Sequence, residues 1–282
     1  EYVEADILDV LALEKALKGV ELVIHAAGYV SYHPHDQDKL YRINVEGTRN
    51  LVNASLSTSV KKFLFVSSIS TFVALPSAIK VNESFSKKPE LLKSNYAKSK
   101  FYAEIEVKRG EIEGLSTQTV NPSVVLGPGH WNQSSTRLFK YVFDRNSHYL
   151  AGDVNYIDVR DVANCVVQLL EKGNSGEQYI LSAGTISYHR LFTLMAKAFD
   201  LEIQFRKVKG IPLWLFYYFD RMISFVLRRP AKLSREMLSA GKRTINYEST
   251  KIKQELNYTF RSIDDTISWT CRELISRYGK KS

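Results

Sequence analysis

Short apolar runs alternate with longer amphipathic stretches along the first two-thirds of the chain, the rhythm of strands joined by crossover helices. The spacing predicts strands at Tyr2–Ala5, Leu22–His25, Lys62–Ser67, Ser116–Pro122 and Gln178–Leu181. It predicts helices at Val10–Lys18, Leu40–Ser57, Tyr96–Glu113, Val159–Glu171 and Tyr188–Phe199. Phe63-Leu64-Phe65-Val66 is apolar at consecutive positions, as a strand buried on both faces of a parallel sheet requires. Ligands on such sheets bind beyond the carboxyl ends of the strands, which directs attention to His25–Tyr29, Ser67–Phe72 and Asn121–Gly129. From about Gly127 the rhythm becomes irregular, and after Gly184 the chain turns helical, basic and aromatic. That change predicts a dinucleotide-binding part at 1–126 with 155–183 and a substrate-binding part at 127–154 with 184–282.

Composition adds little until charge is mapped. With 44% hydrophobic and 24% charged residues, the 282-residue chain is ordinary for a globular protein. The net charge of +9 is concentrated: residues 203–261 hold 13 Lys and Arg against 4 Asp and Glu, an excess equal to that of the whole chain. Such a segment suits an anionic substrate or a membrane surface better than nucleic acid, for which no motif or aromatic platform is present. Cys165 and Cys271 lack metal-ligand spacing and read as two thiols of a reducing, cytoplasmic compartment. Ile211–Leu227 is apolar but interrupted by Asp220-Arg221 and followed by Arg228-Arg229. It predicts a helix closing an apolar substrate pocket, with peripheral membrane contact through 211–229 as the alternative.

One constellation carries chemistry. Tyr96 and Lys100 are four residues apart, so a helix puts phenol and ammonium on one face. A nearby cation favours the phenolate, and such a pair can exchange a proton with a carbonyl or alcohol oxygen. Spacing alone is weak, because Tyr247 and Lys251 repeat it; that second pair reads as surface decoration. Context separates them. Ser67-Ser68-Ile69-Ser70-Thr71 ends the strand upstream of Tyr96, and Asn121-Pro122-Ser123 with Gly127-Pro128-Gly129 follows the next strand.

With Ala5-Asp6-Ile7, Val23-Ile24-His25-Ala26-Ala27-Gly28, Asn44-Val45-Glu46-Gly47-Thr48, Val66-Ser67-Ser68 and Asp158-Val159-Arg160-Asp161-Val162, these segments stand in a fixed order over residues 5–185. In them the chain resembles the extended short-chain dehydrogenases/reductases of the NAD-dependent epimerase/dehydratase superfamily, in particular the dihydroflavonol-4-reductase-like branch. The resemblance implies an α/β fold: a Rossmann-type doubly wound parallel sheet with a smaller, mostly helical substrate-binding part. It implies that Ser68 polarises the substrate oxygen, with Ser67 the alternative, that Tyr96 is the acid/base and that Asn44 orders the site from behind. Lys100 is expected to lower the tyrosine pKa and hold the nicotinamide ribose. Asp6 and Ile7 are expected at the adenine, Ala26, Ala27 and Gly28 along the cofactor's path with Ser67, and Pro122 and Val125 at the nicotinamide. The implied cofactor is NADP or NAD, with a slight preference for NADP. The implied partner is a small carbonyl or alcohol substrate with apolar bulk, and a homodimer is the expected assembly. No metal is implied.

None of the 14 glycines forms the Gly-rich pyrophosphate turn of such proteins. The chain opens where the resemblance puts a third strand, so an incomplete sequence lacking the first two strands is expected. These 282 residues alone are then expected to be unstable and to bind dinucleotide weakly by calorimetry. The leading reading is a carbonyl reductase or alcohol dehydrogenase. A nucleotide-sugar epimerase or dehydratase uses the same pair, but a dehydratase needs an acid where this chain has Ile69. A dinucleotide-binding sensor or scaffold is the reading from another class; its relatives usually lose the tyrosine or the lysine. His25 reads as packed, and His33-Pro34-His35-Asp36 as a loop contacting substrate rather than metal. Asp158 reads as a helix cap, and Arg160 as a weaker candidate for substrate contact.

Overall fold

The computed structural model describes residues 1–72, 80–85, 87–208 and 245–279. Its strands are β1 (Leu22–His25), β2 (Lys62–Val66), β3 (Lys80–Val81), β4 (Ser116–Pro122), β5 (Val124–Leu126), β6 (His148–Tyr149), β7 (Asp153–Asp158), β8 (Glu177–Leu181), β9 (Gly184–Ser187), β10 (Arg206–Lys207) and β11 (Asn246–Tyr247). Helices α1 (Val10–Ala16), α2 (Gln37–Leu40), α3 (Gly47–Leu56), α4 (Asn95–Ile112), α5 (Thr136–Phe143), α6 (Val159–Lys172) and α7 (Tyr188–Ala198) alternate with them, and α8 (Thr250–Leu256) and α9 (Ile263–Tyr278) follow.

Four strands form a parallel sheet in the order β1-β2-β4-β8. Consecutive apolar residues on β2 serve both faces. Phe63 and Phe65 pack with Val52, Ala103 and Val107 of α3 and α4, while Leu64 joins Cys165, Leu169 and Ile252 on the opposite side. Gly110 lets α3 and α4 approach closely, since a Cβ there would lie 2.6 Å from Val52 Cγ1. The segment Tyr2–Ala5, expected as a strand, pairs with none of the described residues: β1 bonds only to β2, and Tyr2 and Val3 are exposed.

A second sheet, β5-β7-β9, packs with α5, α7 and α9 around Phe139, Leu191, Phe192, Met195 and Ile267. It is fastened at the start of α6. Asp158 caps that helix by accepting from the Arg160 amide at 2.7 Å. Arg160 bridges Asp158 and Asp265 and stacks on Trp269, so its guanidinium is committed to holding α9. Asp161, fully buried, accepts from the Arg261 guanidinium, the Arg261 amide at 2.8 Å and Tyr258 Oη at 2.9 Å. Asp161→Ala strands these donors and is expected to cost about 2–4 kcal/mol, read as a lower urea midpoint of the full-length protein.

The expectation of a surface pair at Tyr247 and Lys251 is corrected. Tyr247 lies in β11, paired with β3, and packs with Phe72, Val81 and Ile180. Lys251 lies on α8, bonded to Glu177 and to the Gln178 carbonyl. A strand and a helix hold the two residues, so no single helix face carries them. The segment Ile211–Leu227 and its basic flank lie outside the described residues. Among the described residues no helix is long and apolar enough to cross a membrane.

Candidate functional site

Three strand ends and one helix converge on a single point. Ser94 caps α4 by accepting from the Ala97 amide at 2.9 Å, which fixes where the helix begins and so where Tyr96 and Lys100 point. At the carboxyl end of β2, Ser68 opens the short turn Ile69–Thr71, and its hydroxyl stands near the Tyr96 phenol, where it favours the ionised form. Ser67 Oγ instead donates to Glu104 Oε1 at 2.5 Å. Of the two adjacent serines, Ser68 is the one whose hydroxyl acts on the tyrosine.

The electrostatics depart from expectation at one point. The resemblance implies that Lys100 lowers the Tyr96 pKa, yet the phenol is pushed above its ordinary value by burial, with only the Ser68 hydrogen bond opposing. The reason is geometric. Lys100 Nζ donates to the Val66 carbonyl at 2.8 Å and sits 4.1 Å above the Phe65 ring. Burial in turn brings the Lys100 ammonium down to about 8, with the Glu104 charge acting in the opposite direction.

Behind the pair, Asn44 clamps the loop after β1. It donates to the Tyr29 carbonyl and to Ser99 Oγ, each at 2.9 Å, and accepts from the Tyr29 amide at 2.7 Å. Its own carbonyl accepts from Thr48 Oγ1 at 2.6 Å, and Thr48 lies 2.8 Å from His25 Nε2. Because Thr48 spends its proton on Asn44, His25 must donate from Nε2, leaving Nδ1 as a bare acceptor. Burial, aided by the Lys100 charge, lowers the His25 pKa to about 3, so the imidazole is neutral.

Ala26, Ala27 and Gly28 are exposed at the end of β1. A Cβ added at Gly28 would lie 3.4 Å from Asn44 Oδ1 and 3.9 Å from Lys100 Nζ. The bare glycine therefore leaves open the space beside the ammonium, and two donor hydrogens of that ammonium are not used by Val66. A dinucleotide's sugar hydroxyls fit such a cradle chemically. Pro122, the last residue of β4, is buried, and Val125 in β5 is half-buried. Asp6 turns its carboxylate to the Leu8 amide at 2.9 Å, and Ile7 lies against Gly47 where α3 begins. In the loop after β1, Asp36 accepts from Ser31 Oγ at 2.5 Å and Tyr29 Oη at 3.1 Å. No group of three or more His, Cys, Asp or Glu side chains gathers for a metal among the described residues.

Two features escape sequence reasoning. Tyr32 meets the Tyr96 ring edge-on at 5.8 Å, from the loop after β1. Glu104 gathers Ser67, Thr71, Lys87 and Asn121 beneath the strand ends. Its place one turn beyond Lys100 is the signal that could have found it.

A parallel sheet covered on both faces, with polar groups converging at its strand ends, defines the class as a Rossmann-type α/β fold. Residues 1–182 match the NAD dependent epimerase/dehydratase family, and the chain belongs to that family of NAD(P)-binding enzymes, within the extended short-chain dehydrogenases/reductases. A protein of Synechocystis sp., named provisionally as a dihydroflavonol 4-reductase, is 26% identical over 270 residues, 91% of this chain and 78% of that protein. Cinnamoyl-CoA reductase 1 of Petunia hybrida is 26% identical over 206 residues, 70% of this chain and 61% of that one. Among solved structures, gox2253 superposes with a TM-score of 0.82 at 27% identity, covering 100% of this chain and 86% of its own.

Proposed function

We propose that the protein is an NAD(P)H-dependent carbonyl reductase with Tyr96 as its proton donor. The observation that carries this reading is the meeting of Ser68, Tyr96 and Lys100 at the carboxyl end of β2. NAD(P)H, when bound, supplies the hydride to the carbonyl carbon. Ser68 orients and polarises the carbonyl oxygen, and Tyr96 delivers the proton to it, so that carbonyl becomes alcohol. A phenol whose pKa is raised by burial keeps its proton at neutral pH, which suits donation in reduction better than abstraction in oxidation. Lys100 offers its free donors to the cofactor's ribose hydroxyls, and Asn44 fixes the loop across which the cofactor passes. Names of the plant and cyanobacterial relatives as reductases support the same direction.

The cradle assignment is tested at Gly28. Gly28→Val fills the space beside Lys100 and is expected to weaken NAD(P)H binding to the full-length protein by roughly tenfold or more in calorimetry. Unchanged affinity would remove this stretch from the cofactor's path.

The reaction is tested by screening carbonyl compounds and nucleotide sugars while following nicotinamide absorbance and product formation together. Stoichiometric consumption of reduced nicotinamide with a ketone or aldehyde is expected. Redox-neutral conversion of a nucleotide sugar, with no net nicotinamide change, would replace the reductase by an epimerase or dehydratase.

A further inference from the structure

Below the reacting groups lies an ion pair that the proposed chemistry does not use. Glu104 and Lys87 bond to each other with side chains only 11% and 14% exposed. Burying two charges costs desolvation that the pair itself barely offsets, so bulk stability is a weak account of it. The other partners of Glu104 are informative. Oε1 accepts from Ser67 Oγ at 2.5 Å, Thr71 Oγ1 at 3.1 Å and Asn121 Nδ2 at 2.8 Å. Ser67 and Thr71 flank Ser68 on both sides, and Asn121 Nδ2 also donates to the Ser68 carbonyl at 2.9 Å. One carboxylate thus reaches each segment that sets the position of Ser68. Glu104 also stands one helical turn from Lys100, on the face of α4 that carries Tyr96.

We infer that Glu104 is a positioning residue for the reacting centre: paired with Lys87, it ties the Ser67–Thr71 strand end to α4 and serves as the counter-charge of Lys100. This inference rests on the reading of Tyr96 and Lys100 as the reacting pair. The groups facing Lys100 are few. Among the described residues, Glu104 comes from α4, and from β1 comes His25, which is neutral; β2 contributes the Val66 carbonyl and the Phe65 ring. Facing Glu104 are Lys87 from the loop before α4, and the uncharged Asn121 of β4 and Gln178 of β8. Among the described residues, Glu104 is the anion that acts on Lys100.

The test separates a charge effect from a structural one. The full-length protein is labelled with [15N]lysine, and the Lys100 ammonium, assigned by its loss in Lys100→Met, is titrated by NMR. Glu104→Gln is expected to lower the Lys100 midpoint by about one pH unit, because an anion that favoured the charged form has gone. Should Glu104→Gln unfold the chain through its stranded Lys87, the double variant Glu104→Gln/Lys87→Met removes both charges and carries the same expectation. In kinetics, the double variant is expected to lower kcat and to move the alkaline limb of its pH profile downward, while KM for NADPH changes less than threefold. An unmoved Lys100 midpoint in a folded variant overturns the inference alone. Undiminished carbonyl reduction by Tyr96→Phe overturns the underlying reading, and this inference with it.

Discussion

Tyr96→Phe is expected to lower kcat for carbonyl reduction by about 10²–10⁴-fold with little change in the affinity for NAD(P)H. The substitution deletes one oxygen. It keeps the ring that meets Tyr32 and leaves Lys100 bonded to Val66, so folding and cofactor contacts are preserved. What disappears is the proton that must reach the carbonyl oxygen as hydride reaches carbon. Steady-state rates and calorimetric cofactor binding, measured side by side, distinguish this from general damage. If carbonyl reduction survives unaltered, Tyr96 is not the acid.

Lys100→Met is expected to make the protein more stable and less active at once. Burial lowers the Lys100 pKa to about 8 from its ordinary 10.5, so at neutral pH the fold holds a cation that it disfavours. Its sign follows from linkage. Between those two values the unfolded chain binds more protons than the folded one, so this group's contribution to stability rises as pH climbs through that window. Below about 8 the full penalty is present. An isosteric Met removes it, with an expected gain of about 1–3 kcal/mol at pH 7 after allowing for the lost bond to Val66. Urea unfolding of both proteins at pH 7 checks the gain, and the difference should shrink toward pH 10. Activity should fall by an order of magnitude or more, because no ammonium remains in the open space beside Gly28. In the native protein, activity should decline above about pH 8 as Lys100 loses its charge. Equal stability of Lys100→Met and native protein at pH 7 would show that the cation is not disfavoured by its surroundings.

Much of this centre is legible in the amino-acid sequence. Phe63–Val66 announces a doubly covered parallel strand, and β2 buries Phe63 and Phe65 on one face and Leu64 on the other. The chain order Ser68, Tyr96, Lys100, Asn121 singles out one Tyr–Lys pair over its decoy at Tyr247. Periodicity misleads at Tyr2–Ala5, because a strand pattern says nothing about whether a neighbour is there to bond. Spacing also misplaces Tyr247 and Lys251, since the boundary between β11 and α8 falls between them. Glu104 is hard to read for a different reason, its one-turn spacing from Lys100 aside. An acid in a Lys- and Glu-rich helix normally reads as solvated, and its partners stand 17 to 37 residues away in sequence. Only the assembled sheet brings them to one carboxylate. The same holds for Lys100, whose low pKa arises from burial that no local pattern encodes.

The fastening of α6 to α9 has a consequence for synthesis. Asp161 emerges from the ribosome about a hundred residues before its partner Arg261, and Arg160 about as far before Asp265. Ile263, Ile267, Cys271 and Leu274 also complete the hydrophobic cluster beneath β5, β7 and β9. The four-stranded sheet can therefore assemble on the nascent chain while the neighbouring layer waits, the Asp161 carboxylate still hydrated. The layer formed by β5, β7 and β9 is closed by α9, and a ribosome stalled before residue 261 would carry a docked sheet with that layer's flank open.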